Sequence, residues 1–271
     1  MKINDLLKDN KDISKNIKLL ALSNVLGIDV NNLLLCDKDI DKRGIRKYNS
    51  IIKKIKKGLP IQYILKEAYF YDDSYYVNKD VLIPRPETEV LVLEAEKLIK
   101  KKINNKLTIL DIGTGSGVIA ITMKKLNKDA LVIATDISKK ALKVADKNAK
   151  DKNVDVKFIN TNIMDDVEEK IDVIISNPPY IDIDDPNIED IVKNNEPHLA
   201  LFAENKGLYF YEQILKDSKR VLNGKSIIAF EIGYNLKDGI LKLISKYYPE
   251  ANVITKKDYN DYDRYIFIIN E

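Results

Sequence analysis

Cysteine and histidine occur once each in the 271 residues, and tryptophan not at all. A lone Cys36 cannot close an internal disulfide, which argues against a disulfide-stapled secreted domain, and a reducing, cytoplasmic setting is expected. Cys36 ends the run Leu33-Leu34-Leu35-Cys36 and reads as a small buried hydrophobe. One His and one Cys supply no zinc centre of the usual nitrogen and sulfur ligands. His198 reads as an ordinary loop or core residue, because no nucleophile and orienting carboxylate can be picked out to complete a triad. No apolar run is long enough to span a bilayer. Residues 1–10 alternate charged and apolar side chains, where a secretory signal would follow a basic start with an apolar stretch. A large charge of one sign is also missing: 45 Lys and Arg face 42 Asp and Glu, a net +3, so no bulk field advertises a polyanionic partner.

What is present is an ordinary globular composition, 45% hydrophobic and too rich for disorder. The length allows one large domain or two modest ones. There is no internal repeat. Over residues 1–65 the apolar positions recur at helical spacing, with Ile13, Ile17, Leu20 and Ala21 on one face and Ile45, Tyr48, Ile51, Ile52 and Ile55 on another. This predicts a small helical domain. Within it, residues 38–58 carry nine Lys or Arg against two Asp, which fits either a solvated helix face or a docking surface for an acidic or RNA-associated partner. Gly58 and Pro60 should end that helix.

Residues 66–84 read as a β-hairpin linker, with aromatic strands flanking Asp72, Asp73 and Ser74. Pro84-Arg85-Pro86 then leads into a helix whose first turn holds Glu87, Thr88 and Glu89. From 85 to 271 short apolar runs alternate with amphipathic stretches. Strands are predicted over 107–112, 130–135, 154–160, 171–176, 226–233, 251–255 and 264–270, and helices over 118–126, 138–150, 207–222 and 236–247. Such alternation implies an α/β domain with a mainly parallel sheet covered on both faces. The last two runs are too close for a crossover helix, so they should form an antiparallel hairpin.

The first of these strands ends in Asp111-Ile112-Gly113-Thr114-Gly115-Ser116-Gly117 and opens a helix. Glycines let the backbone turn sharply and approach a ligand, and the free amides of the helix start offer donors. The spacing differs from the three-glycine pattern that cradles a pyrophosphate. Asp136 ends the second strand, 19 residues past Gly117, where a carboxylate can accept from both hydroxyls of a ribose. The two features together point to an adenosine moiety without a pyrophosphate. They resemble class I S-adenosylmethionine-dependent methyltransferases, whose seven-stranded sheet ends in an antiparallel strand.

The fourth strand ends in Asn177-Pro178-Pro179-Tyr180, at the carboxyl edge where open parallel sheets bind ligands. A planar NH₂ has its lone pair delocalised and is a poor nucleophile toward a sulfonium methyl. Accepting both of its N–H groups with the Asn177 side-chain oxygen and the Pro178 carbonyl would aim the lone pair and stabilise positive charge developing on nitrogen. Two prolines hold those acceptors rigidly, and the Tyr180 ring can cover the planar group. The tetrapeptide specifies methylation of a planar NH₂; adenine, guanine and glutamine all qualify.

The wider sequence narrows the choice. Gly58-Leu59-Pro60-Ile61-Gln62-Tyr63-Ile64, Phe70-Tyr71, Val81-Leu82-Ile83-Pro84-Arg85-Pro86-Glu87-Thr88-Glu89, the glycine loop, the tetrapeptide, Glu196-Pro197 with Ala200-Leu201, and Glu231-Ile232-Gly233 follow in that order. Along nearly its whole length the chain resembles the HemK/PrmC family, the peptide chain release factor glutamine N5-methyltransferases. The resemblance implies methyl transfer from S-adenosylmethionine to the Gln of the Gly-Gly-Gln motif of class 1 release factors, with the N-terminal domain helping to hold the release factor. It implies cofactor contacts from Gly113, Thr114, Gly115, Ser116, Gly117, Asp136, Asn162, Ile163 and Asn177, and substrate contacts from Asn177, Pro178, Pro179 and Tyr180, with Asn177, Pro178 and Tyr180 catalytic. The chain departs from the family where Asn162-Ile163-Met164 replaces an acidic residue followed by bulky hydrophobes, and where Asn235 replaces a Gln. An adenine N6 or guanine N2 methyltransferase acting on nucleic acid is the alternative enzyme, but no large target-recognition region is visible. A noncatalytic cofactor-binding scaffold on translation factors should have lost the loop or the tetrapeptide, and both are intact.

Overall fold

The computed structural model describes residues 2–34, 39–103, 106–182 and 190–271; Cys36 lies outside them. The chain forms two compact units, Met1–Glu67 and Ala68–Glu271. Among the described residues of the first, five helices run α1 (Ile3–Lys8), α2 (Lys15–Leu26), α3 (Val30–Leu34), α4 (Lys42–Ile55) and α5 (Ile61–Leu65). Their ends are written in the local sequence. Asp41 opens α4 by accepting from Gly44 N at 2.7 Å, and Gly27 closes α2 in the left-handed region at φ 65°. Tyr48, Ile51 and Ile52 of α4 are buried with Leu19, Ala21 and Leu22 of α2. The opposite side of α4 leaves Lys42, Arg43, Arg46, Lys47, Lys53 and Lys54 exposed, and Lys56 and Lys57 just beyond it are exposed too.

The second unit begins with a hairpin of β1 (Ala68–Phe70) and β2 (Asp73–Tyr75). Its turn is Tyr71-Asp72, both left-handed at φ 51° and 60°, a two-residue turn that matches the twist of the strands. The expected turn at Asp72, Asp73 and Ser74 is therefore displaced toward the N-terminus. The cause is tertiary: Asp73 is drawn into ion pairs with Lys125 and Lys152. Burial raises its pKa, but the lysines outweigh it and hold the carboxyl down at about 2.

Next come α6 (Pro86–Lys102), with Pro86 at its first position, and then β3 (Thr108–Ile112), α7 (Val118–Leu126), β4 (Leu131–Asp136), α8 (Lys139–Asp151), β5 (Lys157–Asn160), β6 (Ile171–Ser176), α9 (Asp190–Asn195), α10 (Tyr209–Val221), β7 (Leu222–Glu231), α11 (Lys237–Tyr247), β8 (Asn252–Lys257) and β9 (Asp263–Asn270). The sheet order is β5-β4-β3-β6-β7-β9-β8, parallel from β5 through β7, with β9 antiparallel to both neighbours. This is the expected class I architecture, including the antiparallel final pair.

Alternation along the strands builds two cores. Ile109, Val132, Val173 and Ile227 pack with Leu91, Val92 and Ala95 of α6 and Ile121 and Met123 of α7. Leu110, Ile133, Ile174 and Ile228 pack with Ile214 and Leu215 of α10 and Ile240 and Ile244 of α11. Both faces are covered, so every loop that can reach a ligand emerges at a sheet edge. β7 starts four residues earlier than the 226–233 run suggested, because it continues straight from α10, with a register irregularity where Ile171 pairs Leu222 and Val173 pairs Ile227.

Candidate active site

Strands β3, β4 and β6 end level with one another. Ile112 pairs with Thr135 on one side and Ser176 on the other, and Ser176 Oγ donates to the Ile112 carbonyl at 2.7 Å. The loops that follow must therefore meet. After β3, Gly113 and Thr114 both donate their N–H to the Thr135 carbonyl at 2.9 Å. Gly113, Gly115 and Gly117 take φ of 72°, 55° and 84°, values that cost a residue with a Cβ. Gly117 also needs to be small, since a Cβ there would sit 3.0 Å from the Ala145 Cβ of α8. At Gly113 a Cβ would meet nothing within 4 Å, so the space above the loop is clear.

That space is a cavity of about 260 Å³. Gly113, Gly115, Asp136, Asn162, Ile163 and Asn177, six of the residues singled out in the sequence, all line it, together with Pro178 and Pro179. Asp136 accepts from Gly115 N at 2.9 Å through one carboxylate oxygen and from Ser138 N at 2.8 Å through the other. Each oxygen retains a further lone pair for a diol. Burial raises its pKa against those two N–H bonds. The Asn162-Ile163 turn is pinned by Thr135 Oγ1, which donates to the Ile163 carbonyl at 2.6 Å, and Ile163 takes a left-handed φ of 49°. A cradle of clear glycine backbone, a carboxylate and apolar walls from Ile137, Ala141 and Ile163 fits an adenosine-bearing ligand.

Thr114, Ser116 and Gly117 do not line this cavity. Thr114 Oγ1 instead donates to Asp111 Oδ2 at 2.6 Å, and the Ser116 carbonyl accepts from Asn148 Nδ2 at 2.8 Å. Their work is to shape the loop. Asp111 beneath them is fully buried and also accepts from Ala120 N at 3.1 Å; burial pushes its carboxyl up to about 7.

A second hollow of about 100 Å³ shares Leu82, Asn177, Pro178 and Ala200 with the first and is lined further by Arg85, Tyr180, Leu201 and Glu231. The first half of the tetrapeptide, with Leu82 and Ala200, thus forms a wall common to two adjoining spaces. Its exit is fixed by Ile181 N donating to the Leu201 carbonyl at 3.0 Å and Ala203 N to the Ile181 carbonyl at 2.9 Å. The tyrosine sits against two glycines: a Cβ on Gly207 would lie 2.3 Å from the Tyr180 carbonyl, and one on Gly233 would lie 3.2 Å from its ring. Burial pushes the Tyr180 phenol up to about 12, so it stays neutral.

Behind the tetrapeptide, Asn177 Nδ2 donates to Thr88 Oγ1 at 3.1 Å, and Thr88 Oγ1 donates to Glu231 Oε2 at 2.7 Å. Burial pushes Glu231 up to about 7, against the Thr88 hydrogen bond and the Arg264 charge. Arg85 Nη2 meets Glu196 Oε1 at 2.6 Å, while Ile83 N donates to Glu196 Oε2 at 3.1 Å. This clamp joins two segments that the sequence marks only separately. Sequence reading missed Asp80, Leu199, Tyr209 and Phe210 as cavity walls; nothing in an amphipathic helix start singles out the last two. His198 lies exposed, its Nε2 2.9 Å from the Lys193 carbonyl.

Comparison with known proteins gives three findings. The family described as methyltransferase small domain matches residues 89–200. The release factor glutamine methyltransferase of Mycoplasma mycoides subsp. mycoides is 40% identical, covering 99% of this chain and 97% of its own, and that of Bacillus subtilis is 35% identical over 93% and 90%. Among solved structures, a methyltransferase from Pyrococcus furiosus superposes with a TM-score of 0.53 at 18% identity, covering 82% of this chain and 98% of its own, a likeness of fold.

If Asp136 holds a ribose, Asp136→Ala should weaken S-adenosylmethionine binding about 10- to 100-fold, the loss of charge-assisted hydrogen bonds worth about 1.5–3 kcal/mol each at most. Calorimetry that returned an unchanged Kd would remove Asp136 from the site.

Proposed function

The chain belongs to the release factor glutamine methyltransferases, and from that premise we propose that its cleft methylates the side-chain nitrogen, N5, of the glutamine in the Gly-Gly-Gln motif of class 1 release factors. The observation that carries the reading is the shared wall: the larger cavity and the smaller hollow adjoin along Asn177 and Pro178, flanked by Leu82 and Ala200. S-adenosylmethionine supplies an electrophilic methyl group on a sulfonium. Gly113, Gly115, Asp136, Asn162 and Ile163 would hold it in the larger cavity, and the glutamine side chain would enter the smaller one.

There Asn177 Oδ1 and the Pro178 carbonyl accept the two N–H groups of the substrate amide. Both acceptors are held before substrate arrives, so they need no reorganisation as positive charge develops on nitrogen. The Tyr180 ring lies along the planar amide and excludes water. The nitrogen releases one proton to water or a nearby carbonyl after the methyl arrives. A primary amide cannot readily be deprotonated beforehand, so the site requires no histidine base.

The exposed lysines and arginines on and just after α4 are proposed to hold the release factor, in keeping with the relatives' names. A cytoplasmic setting is proposed from the bacterial relatives. Among the described residues no helix is long and apolar enough to cross a membrane.

Incubation with labelled S-adenosylmethionine tests the substrate. A class 1 release factor should take up label, while its Gln-to-Ala variant and nucleic acids should not; label in nucleic acid alone would overturn the reading. In the same assay, reversing the charge of Lys53, Lys54, Lys56 and Lys57 should raise the KM for release factor and flatten its salt dependence. An untouched KM and salt dependence would leave that face merely solvated.

A further inference from the structure

We propose that Thr88 and Glu231 are positioning residues that fix which way the Asn177 carboxamide faces, turning its oxygen into the hollow where the substrate amide would lie. The proposal rests on Asn177 being the acceptor for that amide. It assigns a use to two segments the sequence singled out, the first turn after Pro84-Arg85-Pro86 and the end of β7, whose side chains lie behind the tetrapeptide.

The oxygen and nitrogen of an asparagine are nearly identical in shape, and only the surrounding hydrogen bonds choose between the two orientations. Thr88 is buried in the first turn of α6, and Glu231 is buried as the last residue of β7. A hydroxyl has one hydrogen. Thr88 spends it on Glu231 Oε2, 2.7 Å away. What Thr88 then offers Asn177, at 3.1 Å, is a lone pair, so Asn177 must donate. The nearby Asn177 amide also favours the charged form of Glu231. A flipped carboxamide would set its oxygen against a hydroxyl lone pair and a carboxylate, leaving buried acceptors facing one another. Asn177 therefore keeps its NH₂ toward Thr88 and its oxygen free for a donor.

The arrangement depends on an ionised Glu231. Its surroundings are Glu87 and Thr88 from α6, Asn177 and Tyr180 after β6, Tyr211 of α10, whose phenol donates to the Glu231 carbonyl at 2.8 Å, and Arg264 and Tyr265 of β9. Arg264 favours the charge and Glu87 opposes it, while burial sets the carboxyl near 7. A protonated Glu231 would donate to Thr88, whose own hydrogen would then seek an acceptor, and the amide oxygen of Asn177 is the one at hand. The methyl-transfer step should weaken as pH falls through 7.

Single-turnover rates at saturating S-adenosylmethionine, followed from pH 8 to pH 6, test this. Saturating cofactor keeps any effect that the titration of Asp111, beneath the glycine loop, has on cofactor affinity out of the rate. Thr88→Val should lower the rate about 10- to 100-fold while the KM for release factor and the Kd for cofactor stay within about threefold. Thr88→Ser, which restores the hydroxyl, should recover most of the loss. Glu231→Gln should abolish the fall of the wild-type rate below pH 7, and this variant decides the matter if the valine does not fold. A valine variant as fast as wild type, or a glutamine variant that keeps the acid limb, overturns the proposal. Should the wild type label no release factor, the proposed function fails instead. The orientation is then read from hydrogen exchange of the Asn177 side-chain NH₂, expected to be slow in wild type and fast in Thr88→Val; equal exchange overturns it.

Discussion

Ile112 stands between Thr135 and Ser176 at the middle of the sheet, and the rest of the site depends on that register. Because β3, β4 and β6 stop together, the glycine loop, Asp136 and the tetrapeptide leave the sheet side by side. A slip of one residue would exchange the two faces of a strand, moving Ile109 and Leu110 into each other's cores. Burial on both faces makes such a slip costly, since each core is close-packed around its own side chains and would be left with voids in some places and overpacking in others. Precision at the site is thus a by-product of a core that tolerates one register.

The same edge gathers buried and half-buried carboxylates. Asp111 and Glu231 are each pushed up to about 7 by burial, and Asp136 is raised for the same cause. Elsewhere in a fold such groups would be liabilities, and the apolar cores above and below the sheet must offset their desolvation. Each is bound by directional donors: Thr114 and Ala120 on Asp111, Gly115 and Ser138 on Asp136, Thr88 on Glu231. Carboxylates are the acceptors that can order a loop, hold a diol and set the direction of an amide.

Most of the architecture was legible in the sequence because strand and helix periodicities are local. The seven runs from 107 to 270 and the helices between them need only neighbouring residues to declare themselves, and Gly113, Gly115, Asp136 and Asn177 lie at their ends as expected. What escaped was set by contacts distant in sequence. The hairpin turn moved to Tyr71-Asp72 because Lys125 and Lys152 hold Asp73. Thr114 and Ser116 sit in the glycine loop yet serve Asp111 and Asn148 rather than the cavity, since a tight loop points neighbouring groups in opposite directions. The Glu231, Thr88 and Asn177 chain joins residues 143 and 89 positions apart. Each was visible in a marked segment, but no periodicity could show that they touch.

The central claim is that methyl transfer to a glutamine amide relies on acceptors fixed in advance, with Asn177 foremost. It is tested most directly by the single-turnover rate of Asn177→Ala on a class 1 release factor, with cofactor affinity measured alongside. The account predicts a loss of about 10²- to 10³-fold in rate, the scale seen when one preorganised group is removed from a site of developing charge, and little change in cofactor affinity. An alanine variant that methylates within a few-fold of wild type would contradict it.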